Sequence, residues 1–208
     1  MSSAADVLGA IIAGGGSTRF GSPKALARVG GRRVVDRAAD ALRTALDGAS
    51  VIAIVNDADL ARQIGLPYRA DVLARVGALA GLHAALLWGR ERGCTGVLAV
   101  GCDMPFLSPA LLRRLLAEAG DHDAVIPESE GPRGVEPLCA YYTTACIDAI
   151  DRAVQRGDAR MIGFHTDLDV VRLPIAVVRS FGDPAMLFMN LNTERDRAAA
   201  DLLAAELP

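Results

Sequence analysis

A three-layer α/β architecture, a mostly parallel sheet with helices on both faces, is what this sequence predicts. Three observations predict it. Apolar strand-like runs alternate with helical segments, the first run breaks into a glycine-rich loop, and polar residues follow several runs directly. With 208 residues, of which 51% are hydrophobic and only 4% aromatic, the chain can bury a sizeable core, and one domain over residues 1–208 is expected.

The elements follow in order. Residues 7–12 form an unbroken apolar run and read as a buried strand. Residues 33–46 read as a helix, with Val34, Val35, Ala38, Leu42 and Ala45 at helical spacing. Residues 51–55 make a short β-branched strand, and a short edge strand is expected to end near Tyr68. Residues 78–90 give a second helix with Leu79, Leu82, Leu86 and Leu87 apolar, and 97–101 a second buried strand. Ser108 and Pro109 are a helix start, the serine as N-cap and the proline at the first helical position, leading into 111–119. Strands are expected over 123–127, 137–142 and 170–178, with a helix over about 144–156. A final helix starts at Thr193, which can form a capping box with Asp196. The alternation is Rossmann-like, and in such sheets ligands bind beyond the carboxyl ends of the strands.

The loop after the first strand is the most informative segment. Gly14, Gly15 and Gly16 allow backbone amides to approach an anion closely, and Arg19 and Lys24 supply positive charge. It is neither a P-loop, since Ser22, Pro23 and Lys24 follow Gly21, nor a dinucleotide fingerprint, which needs a glycine where Arg19 stands. Arg28, Arg32 and Arg33 extend the basic cluster. It fits a small polyanion, although Arg32 and Arg33 read equally well as a solvated helix face.

Other polar groups fall on the same predicted edge. Asp103 ends a buried strand ahead of Met104-Pro105, where it can hold Mg²⁺ against a triphosphate or cap the following loop. Asn56 and Asp71 each follow a strand and read either as turn residues or as contacts to a base or ribose. Gly77 to Gly81 open a helix with small residues, permitting close packing of a ligand or a strand. In Asn190-Leu191-Asn192-Thr193, strand alternation would put both asparagines on one face, for phosphate or a metal shell; a capping turn is the other reading. Residues 128–134 are polar and turn-rich, either a mobile loop beside this edge or a connector.

Composition excludes several classes. The formal net charge of −3 gives no support to a general nucleic-acid binder. No apolar run approaches membrane-spanning length, and the start lacks the charged and apolar regions of a signal peptide. Four cysteines without Cys-x-x-Cys spacing and three scattered histidines give no zinc site, so a reduced, cytoplasmic protein is expected.

Residues 12–21 through Lys24 resemble the signature of nucleotidyltransferases that activate sugars and cofactors, and the chain is similar to the molybdenum cofactor guanylyltransferase family. The resemblance spans nearly the whole chain. Asp71 with Leu79-Ala80-Gly81-Leu82, the turn Cys102-Asp103-Met104-Pro105, Glu136-Pro137-Leu138 and Asn190-Leu191-Asn192-Thr193 recur in the family's order. It departs at Pro23, where the family commonly has an acidic residue, and at Ala78, where it has proline.

The resemblance implies transfer of GMP from GTP to the terminal phosphate of molybdopterin, with pyrophosphate leaving. On that reading Asp103 holds Mg²⁺, and Lys24 and Arg19 stabilise the phosphate charge. Ile12, Ala13, Gly14, Gly15 and Gly16 then line the nucleotide, Asn56 and Asp71 contact guanine or ribose, and Asn190 and Asn192 serve the pterin-phosphate or metal side. Implied partners are GTP, molybdopterin and transient contacts with cofactor-biosynthesis proteins, without nucleic acid or membrane. The competing readings are a cytidylyltransferase, a transferase for another phosphorylated acceptor, a nucleotide-binding scaffold without turnover, and a dehydrogenase, the last disfavoured by Arg19.

Overall fold

The computed structural model describes residues 6–13, 24–73 and 76–206. Strand β1 (Val7–Ile12) leads to a hairpin, β2 (Arg28–Val29) and β3 (Arg32–Arg33), and then to helix α1 (Val34–Ala45). Strand β4 (Val51–Ile54), helix α2 (Ala58–Ile64), strand β5 (Tyr68–Arg69), helix α3 (Ala78–Glu91) and strand β6 (Gly96–Gly101) complete the first half. The second half runs α4 (Pro109–Ala117), β7 (Ala124–Pro127), β8 (Cys139–Thr143), α5 (Cys146–Gln155), β9 (Val170–Leu173), α6 (Ile175–Val178), α7 (Pro184–Leu187) and α8 (Glu194–Glu206).

The main sheet has seven strands in the order β5-β4-β1-β6-β8-β7-β9. All are parallel except β8, which pairs antiparallel with β6 on one side and β7 on the other. Alternation along the strands feeds two separate cores. Val7, Ile11, Ala53, Leu98 and Val100 face one side with Leu42 of α1 and Leu112 of α4. Leu8, Ala10, Ile12, Ile52 and Ala99 face the other with Leu82 of α3 and Ile150 of α5. The predicted three layers are thus present.

Gly81 of α3 sets one of the closest contacts between layers. A Cβ there would lie 2.5 Å from Ile12 Cγ2, so only glycine lets the helix seat on β1. The small-residue helix start therefore serves packing against a strand. A third, smaller core joins Val29, Phe106, Leu191 and Ala200, tying the hairpin to α8.

Several expectations are corrected. The strand expected over 170–178 stops at Leu173, because Pro174 has no N–H for the ladder and the chain turns into α6, whose Ile175 amide donates to Glu128 Oε2 at 2.8 Å. Helix α2 is not among the expected elements; Asp57, next to Asn56, caps it, accepting from the amides of Asp59 (2.8 Å) and Leu60 (3.0 Å). Arg32 and Arg33 lie on the hairpin rather than on a helix face. Its turn is made by Gly30 and Gly31, both at positive φ. Residues 190–192 are not a strand, so alternation does not align the two asparagines. The starts of α4 and α8 agree with expectation: Ser108 Oγ accepts from Leu111 N, and Thr193 and Asp196 cap each other.

Candidate active site

The carboxyl edge of the parallel strands gathers most of the singled-out residues. At its centre Ala13 N donates to Ile54 O (2.9 Å) and Cys102 N to Ile12 O (3.2 Å), which ties the ends of β1, β4 and β6 together. Ile12 is buried beneath α3 and acts as floor rather than as a side-chain contact, while Ala13 sits half-buried at the edge. Gly14, Gly15, Gly16 and Arg19 lie outside the described residues.

Asp103 leaves β6 at this edge. Its carboxylate folds back over Gly101, where a Cβ would stand 2.9 Å from Oδ1, so the glycine makes room for the acid. Lys24 begins a short 3₁₀ turn, closed by Ala27 N donating to Lys24 O (3.1 Å). Its Nζ lies 3.8 Å from Asp103 Oδ2 and donates to Asn192 Oδ1 at 2.6 Å. Burial raises the Asp103 carboxyl above the ordinary carboxylate range, and the Lys24 ammonium offsets that only in part. A carboxylate so placed is short of positive charge, which suits a cation arriving with a ligand. Beside it the Cys102 thiol is pushed up to about 12 by burial and the Asp103 charge, so it stays protonated and inert at neutral pH.

To one side of Asp103, Asn56 and Asp71 form a reciprocal pair. Asn56 Nδ2 donates to Asp71 Oδ2 (2.9 Å) and Asp71 N donates to Asn56 Oδ1 (2.9 Å). Each thereby fixes the other, and a half-buried carboxylate is presented beyond β4 and β5. On the opposite side a cavity of ≈ 320 Å³ is lined by residues including Ser129, Arg133, Glu136, Phe188 and Asn190. Asn190 Nδ2 donates to Phe188 O at 2.9 Å, so its side chain belongs to this cavity while that of Asn192 belongs to Lys24.

Glu136, which the sequence shows only within the Glu136-Pro137-Leu138 motif, is one of the buried polar residues, 6% exposed. Burial raises its pKa; Arg133 and the Leu138 amide lower it, and the charge of Asp103 raises it further. Because β8 runs antiparallel, its start, where Glu136 stands, lies on the same edge as the ends of β1 and β6. Reading strand direction would have found it. A second cavity of ≈ 470 Å³ carries Arg133, Arg160, His165 and Arg172. The segment from Glu128 to Val135 closes as a turn, with Ser129 N donating to Gly134 O (3.0 Å), and places Arg133 on both cavities.

The basic cluster does not converge. Arg28 donates to Gly31 O (2.6 Å), Arg32 pairs with Asp40, and Arg33 holds Asp36 through two bonds of 2.7 Å. Among the described cations of this cluster Lys24 is the one that reaches the edge. The histidines are apart from one another: His83 is buried near Asp151, His122 bonds Asp169 (2.7 Å), and His165 packs edge-on against Phe164. Among the described residues no helix is long and apolar enough to cross a membrane.

A mostly parallel sheet with a cation–carboxylate pair at its carboxyl edge, and polar groups on either side, defines an α/β protein with a candidate ligand site where such sheets ordinarily bind. The particular family is given by comparison. Residues 9–169 match the model of the MobA-like NTP transferase domain, and the chain belongs to that family. It is 32% identical to the probable molybdenum cofactor guanylyltransferase of Pelotomaculum thermopropionicum, over 94% of this chain and 92% of that one. It is 30% identical to the molybdenum cofactor guanylyltransferase of Desulfosudis oleivorans, over 94% of each chain. Among solved structures it resembles the molybdopterin-guanine dinucleotide biosynthesis protein A of Archaeoglobus fulgidus, with a TM-score of 0.77 and 26% identity over 96% of this chain and 100% of that one.

Proposed function

We propose that the protein transfers the GMP moiety of GTP to the terminal phosphate of molybdopterin, releasing pyrophosphate. The observation that carries the reading is the Lys24–Asp103 pair at the carboxyl edge of β6, set between the Asn56–Asp71 pair and the cavity of Glu136 and Asn190. Two substrates have to meet end to end in such a reaction. Polar sites on both sides of one charged centre suit that need.

In the reaction an oxygen of the acceptor phosphate bonds to the α-phosphorus of GTP while the bond to the bridging oxygen breaks. The attacking phosphate is already ionised near neutral pH, so no general base is required. Positioning and charge neutralisation carry the rate. Lys24 supplies a fixed cation where the triphosphate must lie. Asp71 presents a carboxylate, which accepts from the donor groups of a guanine edge or from ribose hydroxyls. Asn190, Arg133 and Glu136 line the acceptor side.

Mg²⁺ is part of this proposal, and the residues fit it. Asp103 is a partly buried carboxylate with one incomplete counter-charge at 3.8 Å, and Mg²⁺ ordinarily takes one or two carboxylates and fills its shell with water and phosphate oxygens. Bound there, it would neutralise charge at the α-phosphate. The cytoplasm is the proposed compartment, since GTP is the donor.

A pyrophosphate-release assay with the pterin acceptor and Mg²⁺ tests the whole reading. Release is expected with GTP and to be at least about tenfold slower with CTP, the scale of one lost base-specific contact pair. Faster release with CTP would overturn the nucleotide assignment, and binding without release would mark a scaffold.

A further inference from the structure

The two asparagines of the Asn190–Thr193 turn do different jobs, and the geometry points to Asn192 as a positioning residue for Lys24 on the donor side, not as a contact for the acceptor. This deepens the reading above and rests on it. Asn192 Oδ1 receives the Lys24 ammonium at 2.6 Å, whereas Asp103 is 3.8 Å from the same nitrogen. The nearer neutral oxygen, not the charged one, therefore directs the lysine. The asparagine is itself held. Its backbone amide and that of Thr193 donate to Asp196 Oδ2 (2.9 and 2.8 Å), and Leu191, fully buried, donates its amide to Asp103 O at 3.0 Å.

The chemistry makes this useful. A lysine stem has several free rotations, and fixing it costs rotamer entropy on each binding event. An acid in the place of Asn192 would hold the ammonium but also cancel its charge. A neutral amide oxygen aims the ammonium and leaves that charge for phosphate. Asn190 does not share the task, because its amide donates to Phe188 O and it lines the acceptor cavity.

A double-mutant cycle on donor binding without acceptor tests this. Calorimetric Kd values for GTP with Mg²⁺ are compared for the wild type, Asn192→Ala, Lys24→Ala and the double variant. Asn192→Ala is expected to weaken GTP about tenfold, and the double variant to bind within about twofold of Lys24→Ala alone, the signature of one residue acting through the other. In turnover, Asn192→Ala should lower kcat with the acceptor KM within about twofold of wild type. Additive losses, or unchanged GTP affinity with a raised acceptor KM, would overturn the assignment. If the wild type prefers CTP, the nucleotide of the proposed function is corrected and the same cycle is read with CTP. Matching melting temperatures of Asn192→Ala and wild type separate the effect from loss of the fold.

Discussion

The two halves of the sheet edge are built differently. On the half proposed to take the donor, called the donor half below, β5, β4, β1 and β6 run parallel in unbroken order, and each candidate side chain follows its strand by one or two residues: Ala13, Asn56, Asp71 and Asp103. On the half proposed to take the acceptor, called the acceptor half below, the antiparallel β8 reverses the logic. Glu136 precedes its strand, and Asn190 comes from an irregular stretch after two single-turn helices, α6 and α7. Regular parallel geometry suits a ligand whose phosphates are the same whatever the base. A patchwork of turns suits a side that must fit one particular acceptor. The difference teaches that position on the donor half is set by backbone and on the acceptor half by side-chain contacts, and this can be broken experimentally.

The largest effect is expected at the junction of the two halves. Asp103→Asn should abolish pyrophosphate release. Because burial lifts the Asp103 carboxyl above its unfolded value, its charge opposes folding at neutral pH, so the ligand-free variant should melt above wild type. Scanning calorimetry beside the assay checks both, and residual turnover would remove Asp103 from the centre. Next, Lys24→Ala should cost roughly two to four orders of magnitude in kcat, the scale of losing one preorganised charge. A loss under about tenfold would move that role elsewhere.

Substitutions confined to one half should then separate kinetically. Asp71→Asn should raise the KM for GTP roughly tenfold and leave the acceptor KM alone, and Glu136→Gln should do the reverse. Crossed effects in steady-state kinetics would dissolve the distinction between halves. Two smaller effects concern stability alone. Gly81→Val, which drives a side chain into Ile12, should destabilise by about 1–3 kcal/mol in urea titrations. On the acceptor half, burial and the Arg172 charge lower His165 to about 4. Its folded value lies below the unfolded one, so stability is complete above about pH 6.5 and is lost as pH falls towards 4, by about 2 kcal/mol after allowance for its part exposure. His165→Phe should flatten that slope; an unchanged slope would assign it to other groups.

The sequence made the donor half legible and left much of the acceptor half hidden, for physical reasons. A buried parallel strand writes itself as an apolar run, so β1, β4 and β6 and the residues after them could be placed at once. Alternation cannot tell strand direction, so β8 was found but the importance of Glu136 was not. Pro174 was passed over inside an apolar stretch, although a residue without an N–H marks the end of a central ladder. Helix α2 went unseen because Asp57 serves turns and N-caps with the same atoms, and only Gly65 beyond it, at φ 76°, signals a helix end. Asn190 and Asn192 could be named but not told apart. What separates them is a bond across 168 positions of sequence to Lys24, which no local pattern encodes.

The small core of Val29, Phe106, Leu191 and Ala200 also has a meaning in time. Chains emerge from the ribosome N-terminus first, and their parts fold as they appear. The strands of the donor half are therefore made well before the turn that holds Lys24. Until Leu191 and Ala200 have been translated and docked, the lysine has no Asn192 to aim it. On this wiring the aim of Lys24 is completed only after Asn192 and α8 have been made and docked.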